Sequence, residues 1–338
     1  MESVKRIKFS FNKPVGLRYL YDRDEELRKL LESKSSFLIG PLGIGKTSLL
    51  KSYVTKSGCE AIWIDGAKVL SLENFINIMK KEYKDFFKKV MDSKETALFS
   101  ELKAPMLEIE NYQNGKSDSL TFVNNFLEEL SYIQGVKICL IIDDFTEMRK
   151  IGTAFTEIKR ALYKTARKRN LNILLSSSEL GYAKEILQRK DLPLQKAFFS
   201  LTVKPFNQED SAFFISKGLE QYGVSCPKKN IGEAYYIAEG FPLWLSLIGL
   251  RMLEGKCNPQ GIYTDSRTQA FWVERLSRLT SKERQILRLI AKNKSFKAAG
   301  PHSRRTLEYL IRKGYVLSNK YEHIVDPILN YLLKFEYI

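Results

Sequence analysis

Long apolar runs are missing from this 338-residue chain. No stretch approaches the roughly 18 apolar residues of a membrane helix, so no membrane role is expected. Residues 1–8 are charged and lack the apolar core of a secretory signal. Histidine is nearly absent: His302 and His323 are the two, and neither has a catalytic partner in sequence. The four cysteines, Cys59, Cys139, Cys226 and Cys257, lie far apart with no Cys-x-x-Cys pair. That spacing argues against structural zinc. It leaves them as expected reduced packing residues of a cytoplasmic protein. Acid is also short, with 39 Asp+Glu against 55 Lys+Arg, for a net charge of +16. Residues 272–338 carry fourteen Lys+Arg and six Asp+Glu, so half of the excess sits in the last fifth of the chain. A local basic excess is the footprint of a nucleic-acid binder; a generally lysine-rich composition is the plain alternative.

Glycine is concentrated where it matters. Residues 40–47 read G-x-x-x-x-G-K-T: Gly40, Pro41, Leu42, Gly43, Ile44, Gly45, Lys46 and Thr47, with Ser48 next. An apolar predicted strand, 37–39, precedes them, and an apolar-rich predicted helix follows. Strand, glycine loop and helix in that order form a P-loop, whose backbone N–H groups cradle phosphate oxygens. Lys46 would neutralise the β- and γ-phosphates, and the Thr47 hydroxyl would hold Mg²⁺. The expected ligand is therefore a nucleoside triphosphate.

Further along, residues 137–144 form an apolar run ending in Asp143 and Asp144. This reads as a buried parallel strand with acids at its carboxyl end, where open α/β sheets bind ligands. Asp143 is the expected Mg²⁺ partner. Asp144 is the candidate acid that polarises the attacking water, with Glu147 one helical turn on as the second candidate. The next apolar strand, 171–175, ends in a serine run in which Ser176 and Ser178 can reach a γ-phosphate; a hydrophilic turn is the plain alternative. Strands alternating with helices over 35–205 predict an α/β fold with a parallel, doubly wound sheet. Residues 92–117, with Pro105 and Asn114-Gly115, are expected to be irregular, an insertion or a short hairpin.

Taken together, these landmarks resemble the archaeal ATPase family of the AAA+/STAND P-loop type. Residues 21–27, with Tyr21 and Arg23, look like the box that closes over adenine. Residues 40–47 are similar to Walker A, 141–144 to Walker B, and 176–181 to the family's first sensor. Residues 201–206 with Glu209 and Asp210 resemble the entry to a helical lid. Gly240 and Pro242 match its G-x-P motif, whose proline contacts the base. Two departures stand out. Asp144 replaces the usual glutamate, and Gln195-Lys196 stands where relatives often carry Gly-Arg. Lys196 supplies charge without a bidentate fork. The resemblance implies an ATPase using ATP and Mg²⁺, slow and switch-like, with a protein partner or a homo-oligomer supplying an activating residue.

The expected organisation is a core over 1–205, a helical lid over 206–255, a linker over 256–271 and a winged helix over 272–338. In the tail, residues 303–313 predict the recognition helix, with Arg305, Tyr309, Arg312 and Lys313 outward. A wing would turn at Asn319-Lys320. A basic outward face suits double-stranded DNA. The alternatives are a signalling scaffold without DNA binding, a replication-initiator-like or mobile-element ATPase, and a P-loop protein that binds ATP without hydrolysing it.

Overall fold

The computed structural model describes residues 6–93, 99–168, 170–189, 194–319 and 321–338. Helix α1 (Asp24–Glu32) leads into strand β1 (Ser36–Ile39), which feeds the glycine loop and α2 (Lys46–Ser57). Then come β2 (Glu60–Asp65), α3 (Leu72–Ser93), α4 (Phe99–Gln113), α5 (Ser119–Tyr132) and β3 (Ile138–Asp143). Helix α6 (Thr153–Ala166), β4 (Leu171–Ser177), α7 (Leu180–Gln188) and β5 (Phe199–Thr202) complete the core. The strand pairs of this five-stranded sheet are parallel, in the order β2-β3-β4-β1-β5.

Strand β3 is buried from end to end. Its unbroken apolar run follows from helices covering both faces of the sheet. Alternation along the strands splits the interior into two clusters. Phe37, Ile142 and Leu175 pack with α3 to α6 on one face. Leu38, Ile141 and Leu174 belong to the other cluster, which continues without a break into the lid and tail through Trp244, Leu310 and Leu333. Register sets the carboxyl ends side by side, with Leu38 opposite Ser176 and Asp65 opposite Asp143.

The residues expected to form a lid are the helices α8 (Gln208–Glu220), α9 (Lys228–Ala238) and α10 (Pro242–Leu253). Asn207 caps α8 by accepting from the Asp210 amide, and proline opens α10 where no N–H partner is lost. The N-terminal segment is pinned to this lid. The Phe9 ring lies between Gly218 and Gly249, and a Cβ built on Gly249 would meet it at 2.6 Å. Gly249→Ala should therefore destabilise the chain by about 1–3 kcal/mol through overpacking, read as a lowered denaturant midpoint. An unchanged midpoint would mean that Phe9 is not clamped there.

The remaining elements are α11 (Ser266–Ser277), α12 (Ser281–Ala291), a 3-10 turn at Phe296–Ala299, α13 (Ser303–Arg312), β6 (Val316–Ser318), β7 (Glu322–Ile324) and α14 (Pro327–Lys334). Thr280 and Glu283 form a capping box at α12, and β6 pairs with β7 in antiparallel fashion. The hairpin turn includes Asn319; Lys320 lies outside the described residues. The Trp244 indole donates to Asp326 at 2.6 Å, tying α10 to the cap of α14.

Three expectations change. Residues 99–113, expected to be irregular, are the helix α4, with Pro105 inside it. An internal proline costs about 3 kcal/mol, and here burial overrides it. Leu102 and Ile109 are fully buried, and Tyr83 donates to the Leu102 carbonyl in the turn before Pro105. The cysteines, expected to be reduced, are paired as Cys59–Cys139 and Cys226–Cys257, with Cα atoms 6.0 and 5.6 Å apart. Sequence separation hid the first contact: β2 and β3 are neighbours, and Ala61 lies opposite Cys139. Residues 256–271, expected to be a linker, include a 3-10 turn at Pro259–Ile262 and the first turns of α11, with Ile262 and Phe271 buried. No helix among the described residues is long and apolar enough to cross a membrane.

Candidate active site

The glycine loop turns because two residues adopt conformations that disfavour side chains. Gly43 and Gly45 have φ of +79° and +98°. At Gly43 there is also no room, since a Cβ would lie 2.8 Å from Leu243 of the lid. The Leu243 amide donates to the Gly43 carbonyl at 3.2 Å, so α10 begins directly on the loop. Lys46 is 6% exposed and donates to the Gly40 and Pro41 carbonyls, both at 2.9 Å. Burial lowers its pKa, while the Asp144 and Asp143 carboxylates pull the other way. Such a buried ammonium is poised for an anion that completes its charge balance.

Strands β3 and β4 supply the facing wall. The Thr47 hydroxyl donates to Asp143 Oδ2 at 2.7 Å, and Ser176 donates to Asp143 Oδ1. The Ser176 oxygen also accepts from the Asp144 amide at 3.0 Å, and Ser178 donates to Asp144 Oδ1 at 3.1 Å. Asp144 sits at φ 47°, a left-handed conformation that aspartate tolerates better than most residues. Burial pushes its carboxyl above the usual range; Lys46 opposes that rise and Asp143 adds to it. Thr47 and Asp143 offer hard oxygen donors beside the loop. No cluster of three or more His, Cys, Asp or Glu capable of holding a metal exists among the described residues. A cation here would therefore complete its shell with phosphate oxygens and water, as Mg²⁺ prefers.

Lys46, Thr47, Ser48, Asp144 and Ser178 line one cleft with Gly43, Ile44 and Gly45. Tyr21, Arg23, Leu42 and Pro242 line it too. The Tyr21 ring lies parallel to Phe213, with centroids 5.8 Å apart, and burial raises its hydroxyl pKa, helped by Asp210. The Arg23 guanidinium has a mainly architectural part: it donates to the Lys204 carbonyl at 2.7 Å and covers the Phe206 ring. Gly240 stands behind the wall. Its carbonyl accepts from the Phe206 amide at 2.9 Å, and a Cβ there would collide with the Phe206 carbonyl.

Other sequence candidates are placed elsewhere. Glu147 is not in the cleft lining; its carboxylate meets Lys313 at 3.2 Å. Lys196 is exposed on the 3-10 turn before β5, also outside the lining. On α13 only part of the expected outward face is open. Arg305 and Arg312 are exposed, whereas Tyr309 is half-buried, with burial raising its hydroxyl pKa. Arg312 nonetheless pairs with Glu185 at 2.8 Å, and the half-buried Lys313 with Glu179 at 2.6 Å. Helical periodicity placed these side chains away from the tail's own core, and α7 then covers that side.

Sequence reading missed the N-terminal wall of the cleft. Lys8, Lys13 and Val15 line it, and the Val15 amide donates to Ser48 Oγ at 3.1 Å. It also missed Phe271 of α11, which lines the same cleft. Only the paired lysines of an otherwise irregular segment hinted at an anion.

Residues 20–248 match the model of a family described as an ATPase domain predominantly from Archaea. No curated protein sequence matches the chain. Among solved structures, the Walker-type ATPase PABY2304 of Pyrococcus abyssi is 22% identical, with a TM-score of 0.71 over 96% of this chain and 99% of that one. The ORC2 protein of Aeropyrum pernix, solved as ADPNP-ADP complexes, is 13% identical, with a TM-score of 0.56 over 97% and 98%. At these identities the likeness is one of fold.

Proposed function

Because the chain belongs to this family of ATPase domains found predominantly in Archaea, and is an ATPase, we propose that it works as a switch whose bound nucleotide sets whether its C-terminal tail engages double-stranded DNA. One observation carries this reading. A single cleft is lined by Lys46 and Asp144 of the core, Pro242 of the lid and Phe271 of α11. A ligand there touches the core, the helices at 208–253 and α11, which leads into the tail, and so can favour one arrangement over another. ATP would lie with its phosphates on the glycine loop and its base towards Tyr21 and Pro242. Mg²⁺ would be held by Thr47 and Asp143 and would supply charge neutralisation at the phosphates. Asp144 would act as the water-polarising acid and Ser178, which lines the cleft, would sense the phosphate end; Ser176, expected to reach the phosphate, is fully buried outside the lining and would instead orient Asp143. A cytoplasmic setting, where ATP is plentiful, fits this use.

The helix order of the tail with its antiparallel hairpin supports a winged helix. Its exposed basic residues are Lys294, Lys297, His302, Arg304, which also pairs with Glu308, and Arg305. These residues, more than Arg312 and Lys313, fit contacts to DNA phosphates. Duplex affinity should fall steeply with salt, and Lys297→Ala with Arg305→Ala should reduce the log–log slope by about two. Binding that ignores salt, or a slope unchanged by the pair, would contradict it.

Turnover should be slow. Lys196 lacks a guanidinium fork and lies outside the cleft, so a partner or a second copy would have to supply the missing cation. Steady-state hydrolysis by the isolated chain is expected below about one per second. A second reading is a protein-interaction scaffold, favoured by the engagement of Arg312 and Lys313 with carboxylates of the core; its signature would be absent DNA binding at low salt.

A further inference from the structure

The C-terminal end of α13 meets the core through ion pairs and close backbone approaches. Lys313 lies 2.6 Å from Glu179 and 3.2 Å from Glu147, and Arg312 lies 2.8 Å from Glu185. Glu179 is 3% exposed and also takes Arg149 at 2.8 Å, so it sits between one cation from the core and one from the tail. The backbones touch on both sides of this pairing. A Cβ on Gly181 would stand 2.5 Å from Arg312 Cα, and one on Gly314 would stand 2.7 Å from the Ser178 carbonyl. Gly314 also has φ of +80°, so residue type there is doubly constrained.

The core side of the junction leads straight to the cleft. Ser178, whose carbonyl lies against Gly314, donates its hydroxyl proton to Asp144. Ser177, next to it, shares a hydrogen bond with Thr146 at 2.7 Å and accepts from the Glu179 amide at 3.0 Å. A phosphate oxygen in the cleft would compete with Asp144 for the Ser178 proton. Ser178 thus turns its hydroxyl to the cleft and its carbonyl to the tail, so a shift of its backbone on nucleotide binding would be felt at Gly314. The Lys313 ammonium is largely covered between Glu179 and Glu147, so core docking and duplex contact are alternative uses of it, while the exposed Arg312 is tethered to Glu185 through its Nε.

We propose that this junction is a latch: the loop that follows β4 holds Arg312 and Lys313 on the core, and nucleotide in the cleft releases them to duplex DNA. The latch rests on the DNA-binding reading above. It differs from that reading in predicting that DNA affinity is held down from the core side, by residues that DNA never meets.

Two core-side changes leave every tail residue intact. Gly181→Ala puts a methyl into the Arg312 backbone, within a helix that alanine favours. Glu147→Gln with Glu185→Gln removes two of the carboxylates. Each full-length protein, without nucleotide, is titrated with a duplex over a salt series, and amide hydrogen exchange is followed over residues 309–316. The expected result is about tenfold tighter binding than the unaltered chain. The salt slope should steepen by about two as two more phosphates are met, and exchange over 309–316 should quicken. Equal affinity and slope in all three proteins, with DNA bound, would overturn the latch and leave the DNA reading standing. If none binds DNA, the DNA reading falls and the latch falls with it. Tighter binding without faster exchange over 309–316 would also overturn the latch.

Discussion

Lys46→Ala should lower ATP affinity by at least about 100-fold and bring hydrolysis to background. The ammonium is the one full positive charge of the glycine loop, and it is 6% exposed. Its bonds to the Gly40 and Pro41 carbonyls place it where phosphate oxygens would arrive. A hydrogen bond to a charged group contributes about 1.5–3 kcal/mol, and two such bonds to phosphates amount to two to four decades of affinity. The fold should survive, because the change removes a buried charge that burial already disfavours. Calorimetric titration with ATP and ADP reads the affinity, and an unaltered thermal midpoint shows that the loss is local. Affinity within threefold of the original would remove Lys46 from the site.

The second large effect is separable from the first. Asp144→Asn should cut hydrolysis by about 10²–10⁴-fold, the usual span for a lost acid–base group, while ATP binding persists. Asparagine keeps the acceptor that Ser178 uses at 3.1 Å and tolerates the left-handed backbone at φ 47°. It lacks only the basic carboxylate. Glu147 is poorly placed to substitute, since Lys313 holds it and it does not line the cleft. Asp144 also gives a pH signature. Its carboxyl is raised by burial, with Lys46 opposing and Asp143 reinforcing. The active form is ionised, so turnover is full above the raised pKa and is lost as pH falls through it. The acid limb should stand above the ordinary carboxylate range and vanish in Asp144→Asn. A rate unchanged by the substitution would move the role to Glu147 or to a partner.

Much of this site was legible because its chemistry is written in local order. Lys46 and Thr47 follow a glycine loop, and Asp143 and Asp144 end an apolar run, so contiguous residues declared the two walls. Their meeting at 2.7 Å needed only the assumption of a parallel sheet. What escaped notice depended on contacts between distant segments. Residues 6–15 have no periodicity, yet Phe9 is clamped by two glycines more than 200 residues away. Pro105 signalled a break that buried Leu102 and Ile109 override. Helical spacing at 303–313 gave the face of Arg312 and Lys313 but not its occupant, because Glu179 and Glu185 come from another part of the chain. The cysteines failed in the same way: spacing along the sequence carries no information about neighbouring strands.

The central claim is that nucleotide state governs DNA binding. It is tested most directly by titrating a duplex against Asp144→Asn, which should hold ATP without consuming it, with and without saturating ATP and Mg²⁺ across a salt series. The account predicts affinity at least about tenfold tighter with ATP at the lowest salt, a coupling of about 1.4 kcal/mol, with a steeper salt slope. Equal affinity and equal slope in the two states would contradict it.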